Sequence, residues 1–418
     1  MKRAGTTGSN ADAPGVPARR AALRVLDGVL RGGLALEAAL DSAGRGLAPN
    51  DRGLAHAIAA EALRHLPDLD ALIDSATQRA LPDDAKARFA LRIALVQALR
   101  LGTPGHAAIA TVLPLVDGGP RKLVHGVFGT LMRANAILPE VPTLPAPVAL
   151  RWREAWGEAM VEAAARAVAA PPPLDLTLRE GASIEGGVSL MPGHARLPAG
   201  ASVPDLPGFA EGQWWVQDLA ASLPARLLGK GPGRAFDLCA APGGKTLTLA
   251  AAGWDVTAVD ISDSRLQRLR DNLDRTGLSA RVVAADLLAW QPDAPADAVL
   301  LDAPCSATGI FRRHPDVLHR VRPSQIAEMA DLQARLLDRV SGWVRPGGSL
   351  VFATCSLEPA EGEAQLARFL ADHRDFAIDP ARAEELPAGV VPRRDGALPQ
   401  LSRRIRRSPR SAAAAPPP

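Results

Sequence analysis

The stretch that decides the fold is RAFDLCAAPGGKT, residues 234–246. A short apolar run ends at Leu238, and a Pro-Gly-Gly turn then leads into a segment of helical composition. Gly243 and Gly244 have no Cβ, so they permit a tight turn and a close approach of a ligand to the backbone. The pattern predicts a strand, a ligand-binding turn and the start of a helix, whose first N–H groups have no partner inside the helix.

Apolar runs of strand length recur beyond this turn and alternate with helical stretches. They are DVTAVD (255–260), RVVAAD (281–286), DAVLLDAP (297–304) and SLVFATCS (349–356). This alternation predicts an α/β, Rossmann-like domain with a parallel sheet covered by helices on both faces. Ligands of such sheets bind beyond the carboxyl ends of the strands. All three cysteines, Cys239, Cys305 and Cys355, fall at those ends.

The acids at the strand ends indicate the kind of ligand. A Walker P-loop would need glycine where Cys239 stands, and the dinucleotide pattern G-x-G-x-x-G is absent. Asp260 ends the second strand, where an acid can bind both hydroxyls of a ribose. Asp286 ends the third strand, where it can meet an adenine edge. Two acids beside a glycine turn favour an adenosyl ligand without a polyphosphate, and we expect S-adenosylmethionine.

The chain has 418 residues, which predicts more than one domain. Leucines 23, 26 and 30 recur at helical spacing, and no strand pattern interrupts the region up to about residue 138. Beyond a Pro-rich hinge, residues 150–169 are predicted to form one helix. The segments predicted from the sequence are a disordered 1–16, an all-α bundle over 17–140, a linker with a small α+β piece over 141–212, the sheet domain over 213–395 and a disordered Arg/Ala/Pro tail over 396–418.

Composition excludes several classes of protein. Three scattered cysteines without a C-x-x-C pair indicate neither a disulfide framework nor a structural zinc site, so we expect no metal. No apolar run is long enough to span a bilayer, and the N-terminus lacks a signal-peptide pattern. The net charge of +3 is compatible with a nucleic-acid partner. We expect a monomeric, cytoplasmic protein.

Three blocks resemble a known family: DLCAAPGGKT (237–246), DAPCSATGIFRRHPD (302–316) and TCSLEPAEGE (354–363). They are similar to the signature blocks of the RNA cytosine-5 methyltransferases of the NOL1/NOP2/Sun group. The N-terminal helical region resembles a NusB-type RNA-binding domain, a pairing found in bacterial members that act on 16S ribosomal RNA. The resemblance implies a methyltransferase that uses S-adenosylmethionine and binds RNA.

The resemblance also implies roles for individual residues. Cys355 is expected to be the nucleophile that attacks carbon 6 of cytosine, Cys305 to assist release of the product, and Asp302 to lie beside the base and the methyl group. Residues expected to contact RNA are Arg312, Arg313 and His314. The residues expected at the cofactor are Cys239, Ala240, Ala241, Pro242, Gly243, Gly244, Lys245, Asp260, Arg265, Asp286 and Asp302. Packing is the expected role of the Cys239 side chain.

The C-terminal end departs from the family pattern. Family members end in a strand with Asp-Gly-Phe-Phe, whereas this chain has RRDGALPQLSRRIRRSPR over 393–410, with seven Arg and one Asp. The sequence therefore predicts that the final strand is missing. An alternative function follows, namely a catalytically impaired RNA-binding assembly factor that keeps the methyltransferase fold. DNA cytosine-5 methylation is a third possibility, in which the nucleophile would lie in the Pro-Cys block.

Overall fold

The computed structural model describes residues 13–387 and 402–409. They form two units: the residues up to Ala170 together with Ile310–Val321, and Pro171–Gly309 together with the residues from Arg322 onwards. In these described ranges, no helix is long and apolar enough to cross a membrane. Most of the segment predicted to be disordered at 1–16 lies outside them. Its last residues form a turn in which Val16 N donates to Ala13 O, and that end of the prediction is wrong.

The first unit is helical, as predicted. Its core contains the apolar face of the first helix, where Ala22, Val25, Leu26 and Val29 recur at spacings of three and four and are fully buried. The helices are α1 (Val16–Leu30), α2 (Leu36–Ala43), α3 (Pro49–Arg64), α4 (Leu66–Ser75), α5 (Lys86–Leu99), α6 (Gly105–Val112), α7 (Gly118–Arg133), α8 (Ala146–Trp156) and α9 (Glu158–Val168).

Two expectations about the end of this unit are wrong. Residues 150–169 do not form one helix, because Gly157 adopts φ 85° and ψ 172° and separates α8 from α9. A positive φ of this kind is accessible to glycine at no steric cost. The unit also continues to Ala170. The boundary predicted at residue 140 is therefore too early.

The second unit begins with a small antiparallel sheet of order β2-β1-β3, formed by β1 (Leu174–Leu178), β2 (His194–Leu197) and β3 (Trp214–Val216). Its apolar side buries Leu176 and Trp214 completely. Asp175 on β1 is buried as well, and its carboxylate accepts two hydrogen bonds from Arg196, at 2.7 and 2.9 Å. The predicted α+β piece is thus a three-stranded sheet that precedes the larger one.

The larger sheet of the described residues has seven strands in the order β6-β5-β4-β7-β8-β10-β9. Neighbours from β6 to β8 are parallel, and β10 is antiparallel to β8 and β9. The strands are β4 (Arg234–Leu238), β5 (Asp255–Asp260), β6 (Arg281–Ala284), β7 (Ala296–Asp302), β8 (Val344–Ala353), β9 (Phe376–Ile378) and β10 (Ser402–Arg407). The predicted Rossmann-like class is confirmed.

Helices connect these strands. They are α10 (Leu219–Arg226), α11 (Gly244–Ala251), α12 (Asp263–Thr276), α13 (Val317–Arg320), α14 (Pro323–Ser341) and α15 (Glu363–Asp372). Helix α12 shows the predicted pattern, because Leu266, Leu269 and Leu273 are buried on one face and Gly277, with φ 62°, ends it. The carboxyl ends of β4, β5, β7 and β8 consequently lie along one edge of the sheet.

Strand β10 contradicts two predictions, namely that the tail is disordered and that the final strand is missing. This strand takes the place next to β8, with Ile405 opposite Leu350, and Ile405 is buried in the core of the sheet. Its arginines have acidic partners in the folded unit: Arg404 pairs with Glu385 at 2.8 Å, and Arg407 pairs with Asp375 at 2.8 Å. An Arg-rich segment can therefore form a buried strand here. The remainder of the predicted tail lies outside the described residues, apart from Ser408 and Pro409.

The segment Ile310–Val321 packs within the helical unit although it follows β7 in the chain. The ring of Phe311 lies 5.4 Å from that of Trp152. Arg64 donates to Arg312 O at 2.8 Å, and His319 Nε2 lies 2.7 Å from Leu63 O. The sequence assigned this segment to the sheet domain, and only its packing reveals where it belongs.

Candidate active site

The turn after β4 has the geometry that its glycines predict. Gly243 has φ 107°, and a Cβ at this position would lie 2.3 Å from Leu269 Cδ1, so no other residue fits. Cys239 also has a positive φ, of 62°. Among the described residues, no side chain caps α11, which starts at Gly244. The first N–H groups of α11 are thus available to a ligand, and the helix dipole favours a negative charge there.

Asp260 connects the end of β5 to this turn. Its Oδ2 accepts a hydrogen bond from Ala241 N at 3.1 Å, and its Oδ1 accepts one from Ser262 N at 2.9 Å. Arg265, in the first turn of α12, donates to Ala241 O at 2.5 Å. Asp286 follows β6, is exposed, and accepts from Leu288 N at 2.9 Å. The structure therefore brings Asp260 and Arg265 onto the predicted turn and places Asp286 beyond the adjacent strand.

A buried acid under the turn was not predicted. Asp237 is fully buried on β4, and burial raises its pKa to about 7. One carboxyl oxygen accepts from Thr246 at 2.5 Å, and the other has no partner in the described structure. An unpaired buried oxygen of this kind is costly unless a ligand or water satisfies it. The alternation of β4 indicated only that residue 237 lies inside the domain.

Lys245 forms an ion pair with Asp302, at 2.7 Å between Nζ and Oδ2. Burial opposes the charge on Lys245, but the Asp302 carboxylate outweighs it and raises the pKa of the lysine. The ammonium group therefore stays protonated at neutral pH. The sequence grouped Lys245 with the residues expected at the cofactor. In the structure its side chain lies at the end of β7, where it acts on Cys355.

Cys305 and Cys355 are brought together. Their Sγ atoms are 3.3 Å apart, and both residues are partly exposed. The hydrogen bond with Cys305 lowers the pKa of Cys355, against the opposing effect of burial. The same contact, together with burial, raises the pKa of Cys305 well above that of an ordinary thiol. Of the two thiols, Cys355 is consequently the more acidic and Cys305 the less acidic.

The mutual contact is the largest cause of the difference between the two sulfurs, and neighbouring charges add smaller effects. Asp302 raises the pKa of Cys355 and Lys245 lowers it, whereas Glu361 raises the pKa of Cys305. Cys239 belongs to neither group: it packs against the core of the sheet, and burial raises its pKa. A thiol that is kept protonated is a poor nucleophile.

Ser306 follows Cys305 and Ser356 follows Cys355, and both serines donate hydrogen bonds to one buried carboxylate. Glu361 accepts hydrogen bonds from Ser306 N at 2.7 Å, from the Ser306 hydroxyl, and from Ser356 Oγ at 2.5 Å. Gln333 on α14 donates to the same carboxylate at 3.2 Å. The sequence analysis missed these residues, although the repeated Cys-Ser pair was a signal for them.

A cavity of about 410 Å³ adjoins the turn and the ion pair. Its lining includes the backbone of 240–242, the side chains of Lys245 and Asp302, and Trp215 and Gln217 from the segment before α10. A larger cavity of about 580 Å³ is lined by Arg179, Arg226 and Lys230 and by none of the strand-end residues described above. The candidate site is therefore identified by the residues that line its cavity, and not by the volume of that cavity.

The residues expected to contact RNA lie in the helical unit. Arg313 is exposed, Arg312 is half-buried, and burial lowers the pKa of His314, which favours its neutral form. Their contact with RNA stays a prediction.

Comparison with known proteins establishes the family. The profile described as 16S rRNA methyltransferase RsmB/F matches residues 227–399, and that of the NusB family matches residues 16–131. The ribosomal RNA small subunit methyltransferase B of Xylella fastidiosa strain Temecula1 is 38% identical over 405 residues, which cover 90% of this chain and 94% of that protein. The chain belongs to the RsmB/F family.

Other comparisons agree. The methyltransferase B of Klebsiella pneumoniae strain MGH 78578 is 34% identical, over 86% of this chain and 91% of its own length. The crystal structure of PH0851 covers 95% of this chain and 99% of its own, with a TM-score of 0.66 and 21% identity. At that identity the likeness supports the fold alone. The RsmB/F profile spans the turn after β4 and both cysteine loops, and the NusB profile ends before α8.

Proposed function

We propose that the protein transfers a methyl group from S-adenosylmethionine to carbon 5 of a cytidine in 16S ribosomal RNA, through a covalent adduct with Cys355. The observation that carries this proposal is the thiol pair, in which the pKa of Cys355 is lowered and that of Cys305 is raised across 3.3 Å. Membership of the RsmB/F family supports the substrate.

The residues at the strand ends fit S-adenosylmethionine, whose sulfonium supplies the methyl group when it is bound. The uncapped N-terminus of α11 suits a carboxylate, and Asp260 and Asp286 suit ribose hydroxyls and an adenine edge. The unpartnered oxygen of Asp237 offers a further acceptor under the turn. The residues that would hold the cofactor are therefore those of the turn after β4 together with the acids that follow β5 and β6.

Carbon 5 of cytosine is a weak nucleophile, and a thiolate is needed to activate it. Addition of the Cys355 sulfur to carbon 6 makes carbon 5 electron-rich, so that it can accept the methyl group. Loss of the carbon-5 proton then allows the bond between sulfur and carbon 6 to break, and the Cys355 thiolate is regenerated. Lys245 favours the thiolate before attack, and its ion pair fixes Asp302 beside it.

Cys305 suits the release step for a physical reason. The contact with Cys355 is the largest cause of its raised pKa. Once the Cys355 sulfur is bonded to carbon it is no longer a thiolate, and this cause disappears. Cys305 can then lose its proton to solvent and accept the proton from carbon 5. The two thiols therefore act in sequence, each as a thiolate at its own step.

Two observations favour this proposal over the alternative functions. The impaired scaffold depended on a missing final strand, and β10 provides one. A DNA-type mechanism needs a nucleophile in the Pro-Cys block, where the pKa of Cys305 is raised rather than lowered. The lowered pKa of Cys355 thus favours this residue as the attacking group.

The proposal can be tested with purified protein, 16S ribosomal RNA and S-adenosylmethionine carrying a labelled methyl group. Nucleoside analysis should find the label in 5-methylcytidine, and mapping in cells with and without the gene should locate the nucleotide. The Cys355→Ala protein is the control and should leave the RNA unlabelled. Label in any nucleoside other than 5-methylcytidine, or no label with either free RNA or small subunits, would contradict the proposal.

A further inference from the structure

Glu361 occupies an unusual place between the two reactive loops. It ends a short 3₁₀ turn, Pro359–Glu361, and its side chain is fully buried. Oε1 accepts from Ser306 N and Gln333 Nε2, and Oε2 accepts from the hydroxyls of Ser306 and Ser356. Four hydrogen bonds from neutral donors stabilise a carboxylate that would otherwise be expensive to bury.

The two loops depend on this carboxylate to different degrees. The Cys355 loop has further hydrogen bonds to the segment that follows Cys305: Gly309 N donates to Cys355 O at 2.8 Å, and Leu357 N donates to Thr308 Oγ1 at 2.9 Å. A Cβ on Gly309 would lie 2.7 Å from Cys355 O, which shows how closely the backbones approach. These contacts hold Cys355 without Glu361.

Cys305 is held mainly through its neighbours in the chain. Gln333 Nε2 donates to the carbonyl of Pro304 at 2.8 Å, on one side of the cysteine. Glu361 accepts from both the N–H and the hydroxyl of Ser306, on the other side. Because Gln333 also contacts Glu361, the two side chains form one support beneath Cys305.

We propose that Glu361 is a positioning residue that holds Cys305 against Cys355, so that its loss slows release of the covalent adduct more than formation of the adduct. This inference rests on the proposed function, in which Cys305 serves release. The residue reaches neither the thiols nor the substrate directly; it acts through Ser306 and Ser356.

The chemistry of the carboxylate makes Glu361→Gln the informative variant. Glutamine has the same shape but replaces one acceptor oxygen with an NH₂ donor. In either orientation of the amide, its NH₂ group faces hydrogen-bond donors that previously had a carboxylate oxygen as their acceptor. Ser306 contacts both oxygens, through its N–H and its hydroxyl, so either orientation of the amide disturbs it, whereas Ser356 contacts only Oε2. The Cys305 side of the site should therefore be disturbed more than the Cys355 side.

The test compares two transcripts of 16S ribosomal RNA, one ordinary and one made with 5-fluorocytidine in place of cytidine. Fluorine at carbon 5 cannot leave as a proton does, so the fluorinated transcript traps the adduct and reports its formation rate and the active fraction. Glu361→Gln should form this adduct to full amplitude and within about threefold of the wild-type rate. On the ordinary transcript its turnover should fall by about tenfold or more, and adduct should accumulate.

Two further variants keep the test decisive. Glu385→Gln is the matched control, because Glu385 is a partly buried acid of the same unit that pairs with Arg404 instead; it should change neither rate. If Glu361→Gln does not fold, Ser306→Ala and Ser356→Ala decide the question. Ser306→Ala should slow turnover more than adduct formation, and Ser356→Ala should show a smaller difference between the two rates.

Equal losses in both rates, or unchanged turnover in Glu361→Gln, would overturn the inference. Failure of the proposed function looks different. In that case the wild-type protein itself would form no adduct with the fluorinated transcript, whatever residue stands at 361.

Discussion

The loops that follow β7 and β8 share a local sequence but have different chemical properties. Each places a Cys-Ser pair at the carboxyl end of a strand, and the two sulfurs are in contact. Lys245 faces the second loop and stabilises a thiolate on Cys355. Glu361 lies between the loops and adds to the raised pKa of Cys305, whose largest cause is the contact with Cys355. The comparison shows that the surroundings of the two cysteines, rather than the Cys-Ser motif, decide which thiol is the more acidic.

Cys355→Ala should have the largest effect. Without the thiolate no bond to carbon 6 can form, so turnover should fall by more than about 10⁴-fold, the scale of losing a catalytic nucleophile. Methyl transfer to RNA and the protein–RNA adduct should both be undetectable. An adduct formed by Cys355→Ala but not by Cys305→Ala would reverse the roles of the two loops.

Cys305→Ala should stall the enzyme after methyl transfer, because attack is intact and release is impaired. The expected result is a slowly migrating band on a denaturing gel that disappears on RNase treatment and requires both RNA and S-adenosylmethionine. Turnover should fall by about 10²-fold or more, as for loss of an acid–base group. The double variant Cys305→Ala/Cys355→Ala should give no band, and a band there would point to a third nucleophile.

Lys245→Met should reduce the difference between the loops. The pKa of Cys355 should rise when the cation is removed, so alkylation of Cys355 by iodoacetamide should move to higher pH. Each unit of this shift lowers the thiolate fraction at neutral pH about tenfold. Mass spectrometry of the Cys355 peptide as a function of pH measures the shift.

The matched control for Lys245→Met is Lys230→Met, since Lys230 forms an exposed ion pair with Glu180. This control should leave the alkylation profile unchanged. An identical profile for Lys245→Met and wild type would mean that the cation does not set the charge of Cys355.

Cys239→Ala should have the smallest effect. This thiol packs against the sheet core, and its raised pKa keeps it protonated. Turnover should stay within about twofold of wild type, because a buried cysteine acts as a small apolar residue. Loss of methyl transfer with cofactor binding intact would instead place Cys239 in the chemistry.

Prediction from the sequence succeeded where a local pattern and its structural consequence coincide. The glycine turn at 243–244, the acid at Asp260 and the cysteines at two strand ends all follow from alternation of strands and helices, because parallel strands end along one edge. Glu361 was missed because its role depends on two serines 50 residues apart in the chain. No periodicity connects those positions before the sheet forms.

The C-terminal strand β10 was missed for a different reason, because its composition predicted disorder. Seven arginines over 393–410 suggested disorder, since isolated cations cannot be buried. The folded unit supplies Glu385, Asp379 and Asp375 as partners, and β8 and β9 supply an open position between them. Composition alone contains neither piece of information.

By itself, the sequence determined the α/β class of the second unit, the helical class of the first, and the row of candidate residues at the strand ends. Local patterns of hydrophobicity and turn residues suffice for these. Only the tertiary structure decided that β10 completes the sheet, that Ile310–Val321 joins the helical unit, and that Cys355 is the more acidic of the two paired thiols. These depend on which charges and backbones meet across the fold, and that is set by packing between residues distant in the chain.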